Sequence, residues 1–351
     1  MSFDLEKRLA MTLTAHEGSA VDPAPIVAGA LTRGRRLRRK QRMVRVVGVA
    51  AACLMLAGAA IWLPISGGSD RAPLPVSALL LPAAPGEPGA ASRPDLVGTT
   101  PGAVHFTVDR LLAEADHVTW TAGRGIESVE LRGRIAARVM LARDRAALDE
   151  VQQTLASSGS PQQPVEVRVN GRPGDAWYDP APPSGGQGLW VVRWRPVDGL
   201  WAQLDIHGES LEAVIGTASL VRFDEARRCV VPFRLESLPA GTRLQGCSVN
   251  LGLDGRGAFA EGSLVVGDEA GRWLTVRAQR VPVGVGNAAG ELRAGPYRVR
   301  RQGSEVLEMT VAPNEVEVFL KVWGDGYTER DGLTVLSGYT PAPDVDDIST
   351  W

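Results

Sequence analysis

Lysine is nearly absent from this chain of 351 residues: Lys7, Lys40 and Lys321 are the only three, and every other basic side chain is arginine. Cysteine and histidine are scarce too, with three and four copies. These shortages exclude whole chemistries. There is no CxxC pair, and His16, His105, His117 and His207 lack the close spacing of a zinc-binding helix, so no metal centre is expected. Nor is there a GxSxG nucleophile turn, a P-loop or a GxGxxG fingerprint. Carboxylates are plentiful, but no spacing singles out an acid–base pair. The expectation is a non-enzyme with no catalytic, cofactor-binding or metal-binding residue.

Long apolar runs are also missing, with one exception. Val46 to Ile65 is twenty residues without a charge. At 1.5 Å per residue such a helix is about 30 Å long, enough to cross a hydrocarbon core. Arg33, Arg35, Arg36, Arg38, Arg39, Lys40, Arg42 and Arg45 precede it, and no basic residue follows until Arg71. That asymmetry places the N-terminus in the cytoplasm and residues 66–351 outside, in a single-pass protein of the cell membrane. A cleaved signal peptide is the rival reading. Its positive region is short, whereas more than forty residues precede this span, which favours an uncleaved anchor.

Net charge divides along the same line. Residues 1–45 hold ten basic and four acidic side chains, a net of +6; the whole chain carries −2, leaving −8 for the remainder. The basic excess serves topology and attraction to anionic membrane lipid. A mildly acidic external part argues against nucleic acid as a partner.

The rest divides by texture. Residues 1–45 read as a helical cytoplasmic segment, with Leu5, Leu9 and Leu13 as a narrow stripe and Asp22-Pro23 as a second start signal. The stripe lies on lipid or, through residues 1–40, docks a cytoplasmic protein partner. Residues 66–103 are rich in proline and glycine and read as a linker. From 104 onward apolar residues alternate. Val165–Val169, Leu189–Trp194 and Leu200–Ile206 read as strands, and Ser210 caps a helix running to Val221. A similar order returns at Pro296–Arg300, Val306–Val311 and Val316–Val322; aligning Gly208 with Gly324 sets Leu204 opposite Leu320, which points to two tandem copies of one unit, the rival being one larger mixed sheet with chance similarity. The fold class is therefore α+β: N-terminal helices and one transmembrane helix (46–65), then a β-rich extracytoplasmic part in two tandem units, 104–224 and 225–340, with an acidic tail at 341–351.

Tryptophan is the aromatic in excess. Trp177, Trp190, Trp194 and Trp201 fall within twenty-five residues, and Trp190 and Trp194 share one side of a strand. Trp190, Trp194 and Trp201 could line a face for an apolar ligand such as lipid or lipoprotein, or fill the core between sheet and helix. Cys229 and Cys247 form an even pair outside the membrane, which points to a disulfide. A strand, a turn near Leu238 and a returning strand would set the two cysteines opposite each other.

The segment ending Gly34-Arg-Arg-Leu-Arg-Arg-Lys40, the anchor, the stalk and the external part together resemble actinobacterial single-pass membrane proteins associated with extracytoplasmic-function sigma factors. Trp201-Ala-Gln-Leu-Asp-Ile-His-Gly208, followed by a helix ending near Val221, resembles the last hairpin and helix of external sensor domains on some anti-sigma factors. The resemblance implies an anti-sigma-like regulator that binds or senses an extracytoplasmic ligand. The histidine–cysteine zinc motif of zinc-binding anti-sigma factors is missing, and the cytoplasmic segment is shorter than a typical sigma-binding domain.

Overall fold

Runs in which β-branched and other apolar residues alternate with polar ones, such as Val165-Glu-Val-Arg-Val169 and Trp273-Leu-Thr-Val-Arg277, build strands. The computed structural model of the protein describes residues 75–155, 162–180, 188–208, 210–253, 259–280, 290–303, 306–311, 316–323 and 327–351. The N-terminal helices and the span 46–65 lie outside the described residues. Among those described, no helix is long and apolar enough to cross a membrane.

Chain order begins with a 3-10 turn at Val76–Leu79, β1 (Ala83–Pro88), β2 (Ala103–Val104) and a short α1 (Asp109–Leu112). Next come β3 (Ala115–Gly123), β4 (Ile126–Gly133), β5 (Ala137–Ala142), α2 (Arg145–Leu155), β6 (Val165–Val169), β7 (Arg172–Asp179), β8 (Leu189–Trp194), β9 (Trp201–Ile206) and α3 (Leu211–Ala218). After β10 (Glu225–Arg228) and β11 (Phe233–Leu235) follow β12 (Arg243–Gly252), β13 (Phe259–Gly267), β14 (Trp273–Arg280), β15 (Leu292–Ala294), β16 (Tyr297–Gln302), β17 (Val306–Val311), β18 (Val316–Trp323), α4 (Glu329–Ser337) and β19 (Tyr339–Pro341).

Among the described residues fourteen strands form one antiparallel sheet in the order β15-β16-β17-β18-β14-β13-β12-β3-β4-β5-β9-β8-β7-β6. Counted outward from the β3–β12 junction, both halves have the same plan: three strands in a meander, a crossover to the far edge, then four strands returning. The registers agree as well. The row Leu204, Val139, Val129, Trp120 in the first half corresponds to Leu320, Val276, Leu264, Cys247 in the second. The sequence predicts two tandem units; the halves instead share one sheet, because the opening strand of each pairs with that of the other.

Each half then ends in a capped helix. Ser210 Oγ accepts from Ala213 N at the start of α3, and Thr328 with Asp331 forms a capping box on α4. α3 packs on β6 and β8, and α4 on β15 and β18. One face of the sheet carries the main core, including Val129, Leu131, Trp194, Leu204, Val276 and Leu320.

Three expectations need correction. The proline-rich segment reads as a spacer, but from residue 76 it is built into the fold. Leu79, Leu81, Ala90 and Val97 are buried, and the Leu79 carbonyl accepts from Trp120 Nε1 at 3.0 Å. Proline only confines a strand to an edge, and β1 is the edge of the small sheet β1-β10-β2. The acidic tail is docked as well: Val345 is buried, Asp346 pairs with Arg280 at 2.5 Å, and Trp351 meets Phe259 edge-on. Lastly, Cys229 and Cys247 are bridged, with Cα atoms 6.1 Å apart, but not across a hairpin. β11 pairs with β19, while β12 pairs with β3 and β13, so the bridge joins the segment after β10 to the large sheet.

Candidate functional site

β5 is apolar on both faces because both are covered. Val139 and Leu141 face the main core, whereas Met140 and Ala142 form a second cluster with Leu148 of α2. Asp144 starts α2 by accepting from Ala146 N at 2.9 Å. The helix is also held by polar contacts. Arg193, only 3% exposed, reaches Asp149 Oδ1 at 2.5 Å through Nη1. Its Nε and Nη2 donate to Gln203 Oε1 at 2.9 and 2.6 Å. Gln203 Nε2 in turn donates to Gln152 Oε1 at 2.9 Å and to Asp205 Oδ1 at 2.7 Å. The Gln203 amide therefore uses both its acceptor and its donor capacity, which fixes its orientation. Burial pushes the Asp205 carboxyl up to about 6, against the opposing pull of the Gln203 hydrogen bond and of Arg138 and Arg193.

The three tryptophans singled out in the sequence do not share a face. Trp190 and Trp194 point to the core side, where Trp194 is buried edge-on to Phe223 and Trp190 meets Tyr178 at 5.4 Å. Trp201 lies on the other face, in contact with the guanidinium groups of Arg145 at 5.3 Å and Arg195 at 4.5 Å. Next to it runs an open groove of about 450 Å³ lined by Glu166, Arg168, Asp175, Arg195 and Trp201. Its charges alternate in sign, and the Trp201 ring is already in contact with two guanidinium groups. Such a surface suits the ion pairs and backbone hydrogen bonds of a polypeptide better than a lipid chain.

A second buried polar centre anchors the proline-rich segment. Glu127, fully buried on β4, accepts from Gly98 N at 2.9 Å and His105 N at 2.7 Å, and its Oε1 lies 2.6 Å from His105 Nδ1. One ring nitrogen of His105 is thus engaged by the Glu127 carboxyl group. Nε2 has no partner among the described residues. His117 lies on β3 and His207 just beyond β9; no group of three or more His, Cys, Asp or Glu side chains converges as ligands among the described residues.

Sequence reasoning does not find helix α2 or the Arg193–Gln203–Asp205 chain. Gln203 and Asp205 at alternate positions of β9, beside Arg193 on β8, read as a solvated face. The available signal is Leu148 and Val151, three apart beside those strands, as the apolar stripe of a covering helix.

No protein-family model and no curated protein matches the chain. Solved structures similar to it include the crystal structure of MucB in complex with MucA(peri) and the complex structure of Pseudomonas aeruginosa MucA/MucB. Each is 15% identical with a TM-score of 0.21; the first covers 67% of this chain and 97% of its own, the second 65% and 95%.

Proposed function

We propose that this protein is a non-catalytic, single-pass membrane protein whose β domain lies outside the cytoplasm and binds another protein there. Residues 1–45 then relay the bound state to a cytoplasmic partner, in the manner of an anti-sigma factor. The observation that carries this reading is the Cys229–Cys247 bridge in a domain that follows an arginine-flanked apolar span. Structural disulfides persist in oxidising compartments, and the charge asymmetry about residues 46–65 sends the domain to that side. The alternating charges of the groove beside Trp201 favour a polypeptide over an apolar ligand.

Two measurements test it. A reporter fused to the C-terminus should be active only as an exported enzyme; activity of a cytoplasmic reporter at that position sinks the topology. Affinity purification of the full chain from membranes should recover a sigma factor with the cytoplasmic segment, and deletion of residues 1–40 should abolish that recovery.

A further inference from the structure

The large sheet ends at β6, and among the described residues nothing pairs with its outer edge. Natural sheets blunt such edges with proline, bulges or charged side chains. β6 has no proline and no bulge: it reads Val165-Glu166-Val167-Arg168-Val169, is paired regularly with β7, and its two charges, Glu166 and Arg168, are of opposite sign. Val165 is 46% exposed, one of three large apolar side chains so exposed among the described residues.

The β6–β7 turn fixes which backbone groups face outward. Asn170 (φ 50°) and Gly171 (φ 77°) form a two-residue loop closed by the pair Val169–Arg172. In such a hairpin the closing pair exchanges both hydrogen bonds, so Val165, Val167 and Val169 turn their N–H and C=O groups toward β7. Glu166 and Arg168 turn theirs away. Pro173, opposite Arg168, agrees with this: its carbonyl accepts from Arg195 N on the far side at 3.3 Å.

We propose that the β6 edge is the self-association surface of this protein, pairing antiparallel with β6 of a second copy about a two-fold axis through Val167. That register sets Glu166 opposite Arg168 of the second copy, and Arg168 opposite Glu166, in the two positions whose backbone groups are free to exchange hydrogen bonds. On the other face Val165 meets Val169, and Val167 meets itself. The strand is thus its own complement in hydrophobic pattern, charge and hydrogen bonding, as a two-fold interface requires. Other registers fail: centring on Val169 sets Arg168 against Asn170, which lies in the turn. Centring on Glu166 or on Arg168 sets like charges together, and centring on Val165 places Pro164, which has no N–H, against Glu166. Arg168 Nη1 already donates to the Gly171 carbonyl at 3.0 Å, which holds the side chain at the edge with its remaining donors available.

The test is sedimentation equilibrium of the full chain in detergent. The wild type should be dimeric. Glu166→Arg and Arg168→Glu should each weaken association by at least about tenfold, because each sets like charges opposite each other. Mixed in equal amounts, the two variants should associate again, since the two arginines on β6 of one then face the two glutamates on β6 of the other. Circular dichroism and an intact Cys229–Cys247 bridge show that each variant is folded. Val167→Cys in a Cys53→Ala background should yield a cross-linked dimer on non-reducing gels, because a non-hydrogen-bonded pair holds its Cα atoms about 4.5 Å apart. A monomeric wild type, single variants that remain dimeric, or a mixture that fails to associate would each overturn the proposal.

Discussion

The hydroxyl oxygens of Thr121 and Ser248 lie 3.1 Å apart across the pairing of β3 with β12. They are also equivalent residues. The row that runs Leu204, Val139, Val129, Trp120 continues to Val249, and its counterpart Leu320, Val276, Leu264, Cys247 continues to Ala122. Thr121 and Ser248 therefore meet at the point about which the seven-strand plan repeats. A chain that doubles one plan about this point needs only one new strand pairing to bury the opening edges of both halves.

That junction is intolerant of bulk. Gly123, with φ at +103°, pairs with Gly246, and a Cβ on it would lie 2.3 Å from the Gln245 carbonyl oxygen. Both the positive φ and the contact oppose any side chain. Gly123→Ala is expected to destabilise the domain by about 2 kcal/mol or more, measured as a lower urea midpoint at unchanged slope. An unchanged midpoint would show that β3 and β12 shift apart freely.

Local patterns are legible in the sequence where one principle decides the outcome. Alternation locates β8, β9, β17 and β18, and the serine before Leu211 locates α3, because these depend on nearest neighbours. The proline-rich segment and the acidic tail mislead because composition reports how a segment behaves alone. Leu79 and Val345 instead find apolar partners far away in the sequence. The disulfide follows from compartment and count, while the hairpin expected to carry it does not form. Sequence proximity suggests that β11 returns into β12, yet β11 pairs with β19, about a hundred residues later.

Arg193 offers a test of the chain under α2. Arg193→Ala would leave the Gln203 oxygen buried without its two donors and would release Asp149 from the sheet. An unsatisfied buried acceptor together with the lost tie to α2 should lower stability by about 2–3 kcal/mol. Asp149→Ala instead leaves the buried Arg193 cation without this ion-pair partner and should also destabilise the domain. Hydrogen exchange would show the effect first in α2, where amides should exchange faster in Arg193→Ala than in wild type.

The Cys229–Cys247 bridge closes a loop with a sequence separation of 18 and fastens the segment after β10 to β12. Restricting the unfolded chain over such a loop stabilises the folded state by about 3 kcal/mol. Mass spectrometry of the protein taken from membranes and alkylated without reduction should find neither Cys229 nor Cys247 modified. Cys229→Ser combined with Cys247→Ser should lower the urea midpoint accordingly.

Asp205 makes stability depend on pH in a direction opposite to that of an ion-paired acid. Its carboxyl is pushed from an ordinary 3.8 up to about 6, chiefly by burial. Between those two values the folded protein holds a proton that the unfolded chain has released, so raising the pH through this window favours unfolding. The contribution of Asp205 is fully present below about pH 4 and is lost above about pH 7, with a total near 3 kcal/mol from the size of the shift. Asp205→Asn removes the titration while its side-chain oxygen still accepts from Gln203 Nε2. The variant is expected to exceed the wild type in stability by about 1–3 kcal/mol at pH 7.5 and to match it near pH 4. Urea unfolding of both proteins at pH 4.5, 6.0 and 7.5 reads this as a gap that widens with pH. Parallel curves would mean that Asp205 stays ionised throughout, held by Arg138 and Arg193 more strongly than burial opposes it.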